Sequence, residues 1–142
     1  MTVVVWTPKG MAADSMMTRG DTIYFVKKLF RVGSKVVGLA GGSDYCRAWL
    51  AWYTAGADPE KYPTTQKEED CAVTMVGDKD SCVLYDRTPY PVEVFQPYAA
   101  IGSGREVALG ALSQGASAVA AAHSACQWVI GCGGCISTES FE

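Results

Sequence analysis

Short apolar runs separated by turn residues fill most of the first hundred positions and predict β-strands. Runs at 3–6 and 11–15 flank Pro8-Lys9-Gly10, a turn signal, and predict a hairpin. Further apolar runs predict strands at 23–26, 29–32, 35–40, 71–76, 81–85, 92–95 and 98–101. A last short strand is expected in the Gly-rich tail after residue 131. The chain is therefore expected to be rich in β-structure.

Three segments show helical spacing instead. The first begins after Gly41 and Gly42, with Ser43 or Asp44 as its N-cap, and Gly56 ends it. The second begins at 102–104 and runs to 112, and the third is capped at 117 and runs to about 127. Strands and helices do not alternate, which disfavours a parallel sheet and favours antiparallel sheets flanked by helices. We predict an α+β fold in one domain, 1–142, with 55–70 as an exposed connection.

Composition excludes several classes of protein. Of the 142 residues, 49% are hydrophobic and 19% charged, and the net charge is −3. Basic residues cluster only weakly, at Lys27, Lys28 and Arg31, so nucleic-acid binding is not expected. The apolar run near the first residue is too short for a signal peptide or a membrane span. We expect a cytoplasmic protein without a membrane segment.

Six cysteines are present, and reduced thiols are the better interpretation without a secretion signal. Cys132 and Cys135 have the spacing of a zinc knuckle, but a tetrahedral site needs two more ligands. His123 is the only histidine, and it lies in an Ala-rich helical segment. No metal and no cofactor are therefore predicted, and Ser-His-Asp or Cys-His catalysis is a poor fit.

Hydrolysis without histidine needs another base, and an N-terminal threonine supplies one. Its hydroxyl attacks while its own α-amine, with a reference pKa near 8, accepts the proton. A nearby ammonium held by a carboxylate favours the neutral amine. Thr2 after Met1, Lys28 and Asp14 meet these requirements. Each residue alone is compatible with an ordinary structural role.

The combination resembles a known family. Thr2 before a strand, Ala12-Ala13-Asp14-Ser15, the pair Lys27-Lys28, the strand 36–42 that leads into a helix, Ile101-Gly102-Ser103-Gly104 before an Ala-rich helix, and Gly133-Gly134 occur in the order found in proteasome β-subunits and the bacterial HslV peptidase. The resemblance covers most of the chain. It implies a four-layer αββα sandwich of two antiparallel sheets, with a reduced helical layer on one face.

The resemblance also implies roles for particular residues. Thr2 would be the nucleophile and its amine the base, while Asp14 would orient Lys28 and Lys28 would tune the amine. The Gly41 N–H would stabilise the oxyanion, and Ser103 would hydrogen-bond the amine. The implied activity is a threonine peptidase that cleaves polypeptides inside a homo-oligomeric ring, with an ATP-dependent unfoldase as a possible partner.

Two positions depart from the family pattern and keep other interpretations open. Val129 and Cys132 stand where the family usually has Asp and Ser or Thr. Together with Met1, which blocks the Thr2 amine while attached, they favour a catalytically silent assembly subunit as the alternative. A small-molecule amidase and an unrelated domain that binds an anion at 102–104 are further alternatives.

Overall fold

The computed structural model describes residues 2–64 and 72–141, which form eleven strands and three α-helices. The strands are β1 (Val4–Thr7), β2 (Gly10–Ala13), β3 (Met16–Arg19), β4 (Thr22–Phe25), β5 (Leu29–Val32), β6 (Lys35–Gly41), β7 (Ala72–Gly77), β8 (Cys82–Tyr85), β9 (Val92–Glu93), β10 (Ala99–Ile101) and β11 (Ser137–Ser140). The helices are α1 (Ser43–Thr54), α2 (Arg105–Ser113) and α3 (Ala118–Trp128), and Pro59–Lys61 forms a 3-10 turn.

The strands pair into three antiparallel sheets. The first has the order β10-β1-β2-β11, and the second has the order β5-β6-β7-β8-β9. The hairpin β3–β4 stands apart from both. In the first sheet Val4 lies opposite Ala13 on one side and Ile101 on the other, which places β1 at the centre.

Successive side chains of a strand point to opposite faces of its sheet, and the buried ones form three separate cores. One face of the first sheet, with Val4 and Met11, packs between the sheets against Leu29 and Met75 of the second. The sheets approach so closely that a Cβ on Gly38 would lie 2.3 Å from Val4 Cγ1. This first core therefore lies between two β-layers.

The outer faces of the two sheets carry the helices. Val3 and Val5 point the other way from Val4 and pack against α2 and α3, where Ala121 and Ala125 are fully buried. The outer face of the second sheet packs against α1 through Trp49 and its neighbours. The order of layers is helices, sheet, sheet, helix, so the predicted four-layer αββα sandwich is confirmed. Within the described residues α1 is the one α-helix on its face, which matches the predicted reduced layer.

Of the two helix caps predicted from the sequence, one is confirmed and one is wrong. Ser117 caps α3, since its side chain accepts a hydrogen bond from the Ala120 N–H at 3.1 Å. The predicted cap of α1 is wrong: the helix begins at Ser43, its N-cap is Gly42, and no side chain caps it.

Other segments differ from the prediction or are not described. Strand β3 was not predicted. The last six residues of the connection predicted at 55–70, and Cys71 after them, lie outside the described residues. In the described part of the chain, no helix combines the length and the apolar character needed to span a membrane.

Candidate active site

A fully buried carboxylate lies where β2 ends. Asp14 Oδ1 accepts hydrogen bonds from the Val3 N–H at 3.1 Å and from Lys28 Nζ at 2.8 Å. Its second oxygen, Oδ2, accepts from the Gly133 N–H at 3.1 Å. Asp14 is 0% exposed, so its charge is compensated by the lysine and by two backbone dipoles rather than by water.

Lys28 immediately precedes β5, and its side chain is buried. Its ammonium donates to Asp14 Oδ1 at 2.8 Å, to the Met16 carbonyl at 2.6 Å and to Thr2 Oγ1 at 3.0 Å. Its own carbonyl accepts from the Leu39 N–H at 3.1 Å, which ties this position to β6. An ammonium has three protons to donate, and these three acceptors fix its direction.

Thr2 lies just before β1 and is 6% exposed. Its nitrogen donates to Ser103 Oγ at 3.1 Å, and its carbonyl accepts from the Gly104 N–H at 3.0 Å. A glycine is required at the neighbouring position 102, where φ is +93° and an added Cβ would lie 2.2 Å from the Thr2 carbonyl oxygen. The turn 102–104 therefore holds the backbone of Thr2, and it uses its polar groups for that contact rather than for a free anion.

A cleft of about 1020 Å³ opens above the threonine. Its walls come from β3 and from α1, and Thr2 and Lys28 lie in its lining. Gly41 also lines this cleft, at the end of β6, with an exposed backbone and a φ of +124° that favours glycine. The structure thus brings Thr2, Lys28 and Gly41 to one cleft. The buried Asp14 contacts Lys28, and the exposed Ser103 contacts the Thr2 nitrogen.

Buried polarity is concentrated at this point. The described residues contain four buried polar or charged side chains, and Thr2, Asp14 and Lys28 are three of them; Thr74 is the fourth. Removing a carboxylate and an ammonium from water costs several kcal/mol per ion before pairing offsets it. Hydrophobic side chains of similar volume would avoid that cost, so the pair is not what a purely structural core would need.

Of the two positions that depart from the pattern of the resembled family, Cys132 contacts a residue of this site. Cys132 Sγ is 3.9 Å from Ser103 Oγ, so a thiol stands where a hydroxyl would make a shorter bond. Burial raises the pKa of the Cys132 thiol, although the hydrogen bond with Ser103 acts in the opposite direction. At neutral pH the thiol is therefore protonated. Val129 is the C-cap of α3 and is half-buried against the core under the helices, where its side chain offers no polar group.

One supporting group was not found from the sequence. Gly133 donates its N–H to Asp14 and accepts from the Ser15 and Met16 N–H groups, both at 3.1 Å. The motif Gly133-Gly134 is visible in the sequence, but a backbone donor leaves no side-chain signature. The φ of +77° at Gly134 favours glycine, so this glycine is the feature of the sequence that marks the turn.

The histidine and one of the cysteines with zinc-knuckle spacing are exposed. His123 is exposed on α3, and Cys135 is exposed after it. Across 2–64 and 72–141 no three His, Cys, Asp or Glu side chains come together in a group that would hold a metal ion.

Comparison with known proteins identifies the fold. No protein-family model matches the sequence, and no curated protein sequence matches it. Among solved structures, BPH of Thiobacillus denitrificans in complex with epoxomicin aligns with a TM-score of 0.68 at 19% identity, over 99% of this chain and 98% of that one. HslV from Trypanosoma brucei aligns with a TM-score of 0.73 at 17% identity, over 97% of each chain. The chain therefore has the proteasome-like fold of the HslV and BPH structures along nearly its whole length.

Proposed function

We propose that this chain is a threonine peptidase of the HslV and proteasome type, with Thr2 as its nucleophile once Met1 is removed. One observation carries the proposal: a buried ammonium, Lys28 Nζ, lies 3.0 Å from Thr2 Oγ1 and is held by the fully buried Asp14 at 2.8 Å. The fold shared with HslV supports the same conclusion.

Acylation would begin with Thr2 Oγ1 attacking the carbonyl carbon of a peptide bond. The hydroxyl proton passes to the free α-amine of Thr2, which exists only after Met1 is cleaved off. The positive charge of Lys28 next to Oγ1 stabilises the developing alkoxide and favours the neutral amine. Ser103 Oγ, 3.1 Å from the Thr2 nitrogen, is positioned to carry this proton. The proton then goes to the departing amine of the substrate, which leaves an ester on Thr2.

Deacylation would reverse these roles. A water molecule attacks the ester carbonyl and gives a proton to the Thr2 amine, which returns it to Oγ1 as the acid product leaves. No metal and no cofactor take part. The same residues serve both steps.

Charge on the carbonyl oxygen needs a donor in the cleft. We assign this role to the Gly41 N–H, because Gly41 lines the cleft with Thr2 and has an exposed backbone. A preorganised donor of this kind lowers the barrier by about 3 kcal/mol.

The likeness to the HslV structure also supports a proposal about the substrate class and the assembly. We propose polypeptide substrates, a homo-oligomeric ring, a cytoplasmic location, and a single domain over 1–142. An ATP-dependent unfoldase is a further proposed partner. BPH binds epoxomicin, and we propose that a mature form of this chain reacts with the same class of inhibitor.

A second candidate is a catalytically silent subunit of such an assembly. Cys132 supports it, since a thiol 3.9 Å from Ser103 Oγ gives weaker support to the proton relay than a hydroxyl would. Val129 supports it too, since it offers no hydrogen bond at a position where the family usually has Asp. Both candidates share the fold and differ in the chemistry at Thr2.

Intact-mass spectrometry followed by inhibitor labelling separates the two candidates. Activity requires a chain that begins at Thr2. An epoxyketone has two electrophilic carbons, so the hydroxyl and the amine of an N-terminal threonine both react, and the mass rises by that of the whole inhibitor. Thr2→Ala should abolish the adduct, whereas the control Thr138→Ala, at an exposed position of β11, should keep it. A chain proven to begin at Thr2 that neither labels nor cleaves peptides is a silent subunit.

A further inference from the structure

The cleft carries positive charge on a protein that is negative overall. Arg19 of β3, Lys27 before β5 and Arg47 of α1 all line it, and all three are exposed. Asp44 is the one acidic residue in the same lining. The whole chain has a net charge of −3, so its excess of acidic residues lies elsewhere.

The N-terminus of α1 adds to this positive potential. The helix is 12 residues long, and its N-cap Gly42 offers no side-chain cap. Gly42 and Ser43 line the cleft, so the partial positive charge of the helix start faces it. Asp44 in the first turn offsets part of this field. The rest of the positive potential comes from the side chains of Arg19, Lys27 and Arg47 on the walls of the cleft.

The cationic groups are separated by apolar surface. Lys27 Nζ lies 5.2 Å from the centre of the Phe30 ring, a cation–π contact that holds the ammonium over an apolar part of the cleft. Leu39 and Leu50 contribute further apolar lining. The ammonium of Lys28, in contrast, is compensated by Asp14 and adds little net charge.

We propose that this cleft selects polypeptides with Asp or Glu within a few residues of the bond that lies over Thr2. The proposal rests on the proposed function, since it names the substrate class of the same cleft. Acidic side chains gain from the three exposed cations and from the start of α1, while Lys or Arg in the substrate meets like charge. Charge focused in a cleft raises association rates about tenfold or more, and salt reduces the effect.

Binding to an inert variant tests the preference without relying on catalysis. Fluorescently labelled peptides of identical apolar sequence, with Glu, Gln or Lys at the positions flanking a central bond, are titrated against Thr2→Ala by anisotropy. We expect the Glu peptide to bind about tenfold more tightly than the Lys peptide at low ionic strength, with Gln between them. Raising the salt concentration should narrow the ratio.

Charge reversal identifies the groups responsible. Arg47→Glu in the Thr2→Ala background should lower the ratio toward one or invert it, and Asp44→Asn should raise it. Lys9→Glu makes the same change in net charge in the loop at the other end of β1, about 20 Å from Thr2 at the rise of an extended strand. This control should leave the ratio unchanged.

Two outcomes overturn the proposal: equal affinity for the Glu and Lys peptides, or a ratio that responds to Lys9→Glu as much as to Arg47→Glu. The same peptides given to the chain that begins at Thr2 test the proposed function separately. If the Glu peptide binds more tightly but no peptide is cleaved, the peptidase proposal is refuted and the acidic selectivity is supported. If the peptides are cleaved but bind equally well, the acidic selectivity is refuted and the peptidase proposal is supported.

Discussion

Replacing Lys28 by methionine tests the buried ion pair most directly. Methionine keeps most of the length of the side chain and removes the ammonium. Asp14, which is 0% exposed, would retain two of its three hydrogen bonds, those from the Val3 and Gly133 N–H groups. Breaking a buried pair in this way costs about 3–5 kcal/mol because one charge stays buried without its partner. That is a large part of the roughly 5–15 kcal/mol by which domains are stable.

Urea unfolding followed by tryptophan fluorescence measures this loss, since Trp6, Trp49 and Trp52 are buried. Lys27→Met is the matched control. It removes the same charge one residue earlier, at an exposed side chain, and should cost no more than about 1 kcal/mol.

The double variant Asp14→Asn with Lys28→Met completes the cycle. It removes both charges, so it should be more stable than the sum of the single effects predicts, by about 1–3 kcal/mol. Activity gives a second readout, because both Lys28→Met and the double variant should lack labelling at Thr2 even where the double variant is folded. If Lys28→Met costs less than 1 kcal/mol, or if it still labels, the buried pair does not have the role argued here.

Two further predictions concern backbone geometry and pH. Gly102→Ala should destabilise the fold by about 2 kcal/mol or more and displace Thr2, because the φ of +93° is strained for alanine and the new Cβ meets the Thr2 carbonyl. The control Gly110→Ala lies in α2, where an added Cβ would have no atom within 4 Å, and it should stabilise the fold by about 0.5–1 kcal/mol in the same unfolding assay. Hydrogen bonding to Lys35 lowers the pKa of Asp78 to about 2 from an ordinary 3.8, so its ionised form stabilises the fold above about pH 4 and this contribution is lost as the pH falls toward 2. Asp78→Asn should therefore cost about 1 kcal/mol at pH 7 and clearly less near pH 2, where about half of the Asp78 carboxyl groups are protonated. A constant difference between pH 7 and pH 2 would contradict the assignment.

The sequence predicted the layered fold because burial patterns in this chain are strong. Residues 36–40 are apolar or glycine and lie between two cores, so a continuous run was sufficient to indicate a central strand. Strand β3 was missed because Met16–Arg19 pairs with β4 alone, and its residues are half-buried or exposed rather than a buried apolar run. Gly20-Asp21, with a φ of +59° at Gly20, is the turn signal that would have identified the hairpin.

The contacts among Thr2, Asp14 and Lys28 join side chains that the sequence singles out, whereas two backbone contacts of the ion pair have no such signal. Thr2, Asp14 and Lys28 could be found because few residue types serve their proposed roles. The Met16 carbonyl and the Gly133 N–H complete the contacts of the ion pair, yet any residue at those positions has the same backbone groups. Their contribution depends on the path of the chain, which only the three-dimensional structure gives.

The contacts of Thr2 bear on how removal of Met1 would create the proposed active site. Its carbonyl is held by the Gly104 N–H, its hydroxyl by Lys28 and its nitrogen by Ser103 Oγ. Under the proposed function, cleavage after Met1 converts an amide nitrogen that already lies beside Ser103 into a basic amine in the same place. The entropic cost of positioning the nucleophile and the base would then fall on folding rather than on catalysis. Under the same proposal a chain that retains Met1 would be folded but inert, so removal of Met1 would control activity.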